Sequence, residues 1–135
     1  MPWDEPESVA NLVVHRGVDA YAMLNLFPYN GGHLMVLPRR HVRTLRELTP
    51  SGRSELIELV VHCQEVLSRT HRPHAFNVGL NEGKAAGAGV ESHLHWHIVP
   101  RWDGDASFMT SIGGLRVAPE DLPSCWDRIR KEFLD

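Results

Sequence analysis

The chain has 135 residues, enough for one domain with a single sizeable core, and its 42% hydrophobic and 23% charged content is that of an ordinary globular protein. No apolar stretch approaches a membrane span, and a formal net charge of -3 argues against broad nucleic-acid binding, though not against a phosphate held by local charge and aimed N–H donors. Cys63 and Cys125 form no C-x-x-C pair, and the acidic, proline-containing start is unlike a secretory signal, so the expectation is a cytoplasmic protein with reduced thiols.

Taken in chain order, Asn11–Arg16 predicts a short strand and Ala20–Leu26 a second, paired with it as a hairpin through turn residues Gly17 and Asp19. Pro28-Tyr29-Asn30-Gly31-Gly32 is a turn signal, and His33–Pro38 a third strand that its proline closes. Thr49-Pro50 supplies a capping hydroxyl and a proline for a helix reaching about Thr70, whose apolar stripe is Leu56, Leu59, Val60, Cys63 and Leu67. Ala75–Leu80 predicts a fourth strand, and Glu82–Gly89 a glycine-rich loop. A histidine-bearing fifth strand and a turn at Asp103-Gly104-Asp105 follow, and Leu122, Trp126, Ile129 and Phe133 mark a C-terminal helix. The expected fold is therefore α+β, a mainly antiparallel five-stranded sheet with one long and one C-terminal helix.

The fifth strand carries the chemistry. In Ser92-His93-Leu94-His95-Trp96-His97-Ile98-Val99-Pro100, a strand's alternation would put His93, His95 and His97 on one face and Leu94, Trp96 and Ile98 on the other. Neutral imidazole is a competent nucleophile toward phosphorus, and its adduct passes the group on readily. A second histidine on the same face can protonate the departing oxygen. The preceding loop has no bulky side chains at Gly87, Ala88 and Gly89, so its N–H groups are expected to approach phosphate oxygens. Together these point to phosphoryl or nucleotidyl transfer. Two rival readings compete: a solvent-facing polar row, and a metal site to which Glu91, on the parity of the histidine face, would contribute. Lys84 and Arg101 are candidates for distal phosphates. Arg39, Arg40 and His41 read as a solvated loop, and His15, His62, His71 and His74 as ordinary surface or partly buried residues. Cys63 reads as core; Trp96, Trp3, Trp102 and Trp126 read as packing residues.

The run His93-Leu94-His95-Trp96-His97-Ile98-Val99-Pro100 resembles the signature of the histidine triad family. Asn25-Leu26-Phe27-Pro28-Tyr29-Asn30-Gly31-Gly32-His33-Leu34-Met35-Val36-Leu37-Pro38 is similar to that family's N-terminal signature. Asn77–Asn81 and Ala86–Val90 resemble its phosphate loop. The likeness covers about residues 9–108 of a single domain spanning 1–135, with 109–135 as a C-terminal extension. The tail Pro100–Phe108 is most similar to the fragile-histidine-triad and bacterial diadenosine tetraphosphate phosphorylase branches.

The resemblance implies a homodimer whose two sheets join; the net charge and the lack of a membrane-length apolar stretch lead us to expect no nucleic-acid or membrane partner. It implies cleavage of dinucleoside polyphosphates, such as diadenosine tri- or tetraphosphate, at the α-phosphorus, with water or inorganic phosphate as acceptor. By matching positions, His95 is the nucleophile that becomes nucleotidylated, His97 contacts the leaving or bridging oxygen, and His93 and His33 support the site. Asn25 falls on the ribose, Leu24 and Met35 on the base pocket, and Asn81, Gly89 and Val90 near the α-phosphate. The site residues themselves require no cofactor, although a divalent metal can accompany the nucleotide. No cysteine precedes Cys63, so the zinc site of some members is not expected. A nucleoside phosphoramidate hydrolase and a nucleotide-binding regulatory module with incidental catalysis are the alternative readings.

Overall fold

A computed structural model of the chain describes residues 5–25, 31–88, 93–104 and 120–134. Leu26, Pro28–Asn30, Gly89, Val90, Glu91, Asp105 and Trp3, all used in the sequence reading, lie outside these. The strands are β1 (Val13–Arg16), β2 (Ala20–Leu24), β3 (Leu34–Pro38), β4 (Ala75–Leu80) and β5 (Trp96–Arg101), and the helices are α1 (Pro50–Thr70) and α2 (Leu122–Leu134). They form one five-stranded sheet in the order β1-β2-β3-β5-β4, antiparallel at every pairing.

The element ends have local causes. The first strand starts at Val13 rather than Asn11. Leu12 sits at φ 64, and the Asn11 carboxamide oxygen accepts from the N–H groups of Ser8 at 3.1 Å and Val13 at 3.0 Å, closing a turn ahead of the strand. The β1–β2 hairpin closes through Gly17 N–H to the Ala20 carbonyl at 2.7 Å. Thr49 caps α1 as its spacing predicts, its hydroxyl accepting from Gly52 N–H at 3.1 Å.

Both helices pack on one face of the sheet, because both present apolar stripes and the sheet's even-numbered side chains meet them. Val14, Ala22, Leu24, Leu34, Val36, Leu94 and Ile98 from the sheet side join Leu56, Leu59, Val60, Cys63, Val66 and Leu67 of α1 and Cys125, Ile129 and Phe133 of α2. Each of these large side chains contributes about 1.5–3 kcal/mol when buried. The opposite face carries a smaller cluster of Val13, Tyr21 and Leu37 with Met23 and Met35 against it. That second face, which no helix of the described residues covers, is where the site lies.

α2 also guards one sheet edge. Trp126 Nε1 donates to the Val13 carbonyl at 2.8 Å and Arg130 Nη1 to the Val14 carbonyl at 2.7 Å. Below the C-terminal end of α1, His71 donates through Nε2 to Glu120 at 2.9 Å, and Arg128 takes the other oxygen of that carboxylate at 2.7 Å. Burial lowers the His71 pKa, so the ring links the two helices as a hydrogen-bond donor to the Glu120 carboxylate, its side chain 6% exposed. Gly32 passes directly beneath it at φ +83. A Cβ there would lie 3.0 Å from Leu67 Cδ2 and 3.2 Å from the His71 ring, so only glycine brings the chain this close just before His33.

Candidate active site

The register of the three central strands assembles the site. Met35 on β3 faces His97 on β5, and His97 faces Gly79 on β4. Met23 faces Met35 across β2 and β3. One step beyond that ladder, Asn25 N–H donates to the His33 carbonyl at 2.9 Å, so Asn25 and His33 stand opposite each other where the strands end. Paired residues share a face. Met23, Asn25, His33, Met35, His97 and Gly79 therefore all lie on the face away from the helices.

The expected histidine strand is shorter than its sequence pattern. β5 begins at Trp96, so His93 and His95 precede it and only His97 is inside the ladder. Trp96 is the last residue paired on both sides, with Val36 and Leu80. The chain then leaves β3, and Leu94 N–H turns to the Val42 carbonyl at 2.7 Å instead. The alternation survives this departure: Leu94 and Ile98 are buried in the core, while His93, His95 and His97 remain partly exposed. Trp96 packs against the core, as its parity predicts, with its indole N–H buried and without an acceptor among the described residues.

Hydrogen bonds give each imidazole a distinct state. His95 Nδ1 lies 2.9 Å from the His93 carbonyl. A carbonyl only accepts, so Nδ1 carries the proton and Nε2 of the neutral ring keeps its lone pair. His93 is fixed the other way round, its Nε2 donating to the Pro38 carbonyl at 2.8 Å. His33 Nε2 and His97 Nδ1 are 2.9 Å apart, and Asn25 Nδ2 is 3.1 Å from His33 Nδ1. The His95 and His97 rings are 4.8 Å apart and nearly perpendicular, at 76°. These nitrogens are turned to separate partners. Among the described residues, the groups whose donor atoms converge as metal ligands would are His71, Glu120 and Cys125, of which His71 and Glu120 are hydrogen-bonded to each other at the end of α1.

Burial and neighbouring imidazoles disfavour the charged forms of His33, His93 and His97. Burial holds the His33 pKa down from 6.5 to about 4, with His97 and His95 beside it adding to the effect. His97 is lowered by burial and by His95, and His93 by burial ahead of its histidine neighbours His41 and His95. An unfolded chain would protonate these rings near 6.5 while the folded one resists down to about 4 for His33. Stability is therefore intact above pH 6.5 and is lost progressively as pH falls from there to about 4. A thermal-unfolding series across that window should show the melting temperature falling, with His33 alone accounting for on the order of 3 kcal/mol. A His33→Gln variant should show a shallower fall; an equally steep one would contradict the assignment.

Of the expected substrate-binding residues, the structure places Asn25, Met35 and Asn81 on the site face. Asn77, Gly79, Asn81, His97 and Val99 line a groove together with Val78 and Leu80. Leu24 is a correction: it pairs with Leu34 and is fully buried under the helices. Strand parity turns its side chain away from the histidines, and Met23 is the residue beside Met35 on their side.

The glycine-rich loop is a second correction. Residues Lys84–Ala86 form a 3-10 turn that Gly87 ends in the left-handed region. The N–H groups of Gly87 and Ala88 bond to the carbonyls of Lys84 at 3.0 Å and Gly83 at 3.2 Å, so they are spent locally rather than aimed at a ligand. Gly89 and Val90 lie outside the described residues. Arg101 is four residues along β5 from His97, about 13 Å away on the same face, and donates to the Asn77 carboxamide at 2.8 Å. Lys84 is exposed on the 3-10 turn.

The sequence reading missed two neighbours of the site besides Met23. The His41 ring lies 4.4 Å from that of His93, and Tyr21 lies 6.4 Å from it. Met23 and Tyr21 were recoverable, since both share the strand parity of Asn25. His41 carries no such signal, because its approach depends on the chain returning past Val42.

Comparison with known proteins agrees with this fold. Residues 6–104 match the model of the HIT domain. The chain is 52% identical over 111 residues to an AP-4-A phosphorylase of Mycobacterium tuberculosis, covering 82% of this chain and 57% of that protein. It is 37% identical over 99 residues to the asymmetrical bis(5'-nucleosyl)-tetraphosphatase of Schizosaccharomyces pombe, covering 73% and 54%. It thus spans little more than half the length of these curated relatives. Among solved structures, the NitFhit protein of Caenorhabditis elegans superposes with a TM-score of 0.75 at 26% identity, covering 91% of this chain and 27% of that one. No helix among the described residues is long and apolar enough to cross a membrane.

Proposed function

The chain belongs to the HIT domain family, and from that premise we propose that it cleaves dinucleoside polyphosphates at the α-phosphorus through a nucleotidyl-His95 intermediate. The observation that carries this reading is the Nδ1–H of His95 on the His93 carbonyl, which leaves Nε2 free to attack, with the His97 ring 4.8 Å away. Nε2 forms the N–P bond while the bond from phosphorus to the bridging oxygen breaks. The His93 carbonyl then stabilises the positive charge that develops on the His95 ring. His97 donates a hydrogen bond through its Nε2–H to the departing oxygen, which leaves as the polyphosphate anion. An acceptor oxygen, either a phosphate oxyanion or a water that gives up its proton to solvent, next attacks phosphorus, the N–P bond breaks, and Nε2 leaves with its lone pair restored. His93 and His33 hold the pair in place. Met23 and Met35 offer an apolar bed for the base, Asn25 reaches the ribose, and Asn81, Gly89 and Val90 flank the α-phosphate.

Inorganic phosphate is the favoured acceptor, because the relative with 52% identity is a phosphorylase. Water is the second reading, supported by the 37% identical tetraphosphatase. Incubation with diadenosine tetraphosphate, with and without phosphate, distinguishes them. ADP plus ATP, formed only with phosphate, is the expected result. AMP plus ATP would assign water as acceptor, and no product in either case would overturn the substrate class.

The working unit is a homodimer formed along β4. This strand is the open edge of the sheet, its outer backbone groups unpaired by any described strand, and Val78 on it is 40% exposed. Light scattering should give twice the chain mass. Val78→Lys should shift the protein toward monomer; a wild-type protein that is monomeric at every concentration would contradict the arrangement.

A further inference from the structure

The hydrogen bonds run in an unbroken line from Asn25 to His33 to His97, and the direction of that line is chemically consequential. Asn25 Nδ2 faces His33 Nδ1 at 3.1 Å, and His33 Nε2 faces His97 Nδ1 at 2.9 Å. From this we infer that Asn25 is a positioning residue that sets the protonation pattern of His97 from two rings away, in addition to the ribose contact proposed above. The inference rests on the proposed role of His97 as donor to the leaving oxygen.

The argument is one of proton counting. An amide NH2 only donates, so His33 Nδ1 must accept and be unprotonated. The neutral His33 ring then carries its proton on Nε2, where it donates to His97 Nδ1. His97, neutral in turn, must carry its own proton on Nε2, the nitrogen that meets the leaving oxygen. Had the amide presented its oxygen instead, each step would reverse. His33 would hold its proton on Nδ1, and His97 would point a lone pair at the oxygen it is meant to assist. One amide orientation therefore separates a donor from an acceptor at the reacting centre.

Two features make the line fixed. The backbone bond from Asn25 N–H to the His33 carbonyl, at 2.9 Å, locks the two residues in register. Burial of His33, 8% exposed, keeps the middle ring from taking a second proton, which would place a donor against the Asn25 amide. The proposed ribose contact also runs through Asn25, so nucleotide binding and the orientation of the line are coupled through one side chain.

The test compares Asn25→Asp, Asn25→Ala and wild type. Nitrogen-15 spectra of the imidazoles in the full chain, without nucleotide, report which ring nitrogen of His33 and His97 is protonated, whatever the protein's substrate. Wild type is expected to show His97 protonated at Nε2. Asn25→Asp, whose carboxylate only accepts, should move the His33 proton to Nδ1 and the His97 proton with it. An unchanged His97 in Asn25→Asp would overturn the inference without touching the proposed reaction, whereas wild-type His97 protonated at Nδ1 would overturn both the inference and the donor role of His97. In turnover assays Asn25→Asp should lose kcat by about tenfold or more and show an altered pH profile. A residue that only holds ribose would instead raise KM in both variants and leave the tautomers and kcat as they were.

Discussion

Replacement of His95 by asparagine should abolish cleavage of diadenosine tetraphosphate, lowering kcat by about 10^4-fold or more. Asparagine keeps the Nδ2 donor for the His93 carbonyl but has no atom in the place of Nε2. Without that lone pair no N–P bond forms, and direct attack by the acceptor is all that remains. The side chain is partly exposed and its bond is to a local carbonyl, so the fold should lose about 1 kcal/mol at most. A melting temperature lowered by no more than a few degrees and retained nucleotide binding, measured by calorimetry, would accompany the lost turnover. A variant with substantial activity would remove the nucleophile from the account.

Replacement of His97 by asparagine should lower kcat by about 10^2–10^4-fold, but by an amount that depends on the leaving group. With diadenosine tetraphosphate the departing polyphosphate oxygen needs a proton or a strong donor, and the loss should be full. With a nucleotidyl ester of an acidic phenol the oxygen leaves unaided, and the variant should approach wild type. A loss of equal size for both substrates would assign His97 to positioning rather than to departure. Some loss of stability is expected in either case, since His33 Nε2 forfeits its partner in a site where His33 is buried.

Much of the fold was legible because its signals are local. Thr49-Pro50 marked the start of α1, and the stripe from Leu56 to Leu67 marked its buried face. The hairpins around Gly17 and Gly32 followed from turn chemistry. The alternation from His93 to Ile98 placed the three histidines away from the core even though the strand itself begins only at Trp96. A one-residue step is enough to cross the sheet, which is why Leu24 fell on the wrong side: the position was carried over by likeness, while the pairing of Met23 with Met35 places the pocket wall. The glycine loop misled for a different reason. Small residues permit close approach of a phosphate, but they permit a local turn equally well, and the N–H groups of Gly87 and Ala88 take the nearer carbonyls. Contacts between residues far apart in sequence, such as His33 with His97 and His41 with His93, depend on which strands become neighbours, and nothing local encodes that.

The neutral state of His33, His93 and His97 links stability to the proposed activity. The burial that depresses the pKa of His33, His97 and His93 also keeps the proton pattern that the reaction uses. As pH falls from 6.5 to about 4 stability is therefore lost first, while the folded protein keeps the His33 ring neutral, and with it the proton pattern, until the lower end of that window.

The most direct measurement is to stop the reaction within a single turnover of diadenosine tetraphosphate carrying a radiolabelled adenosine, without phosphate, and to map the label on the protein. The account predicts adenylyl bound to His95 through Nε2, an adduct labile to acid and stable to base, which disappears with formation of ADP when phosphate is added. Label on another residue, or turnover with no protein-bound label at any time point, would contradict it.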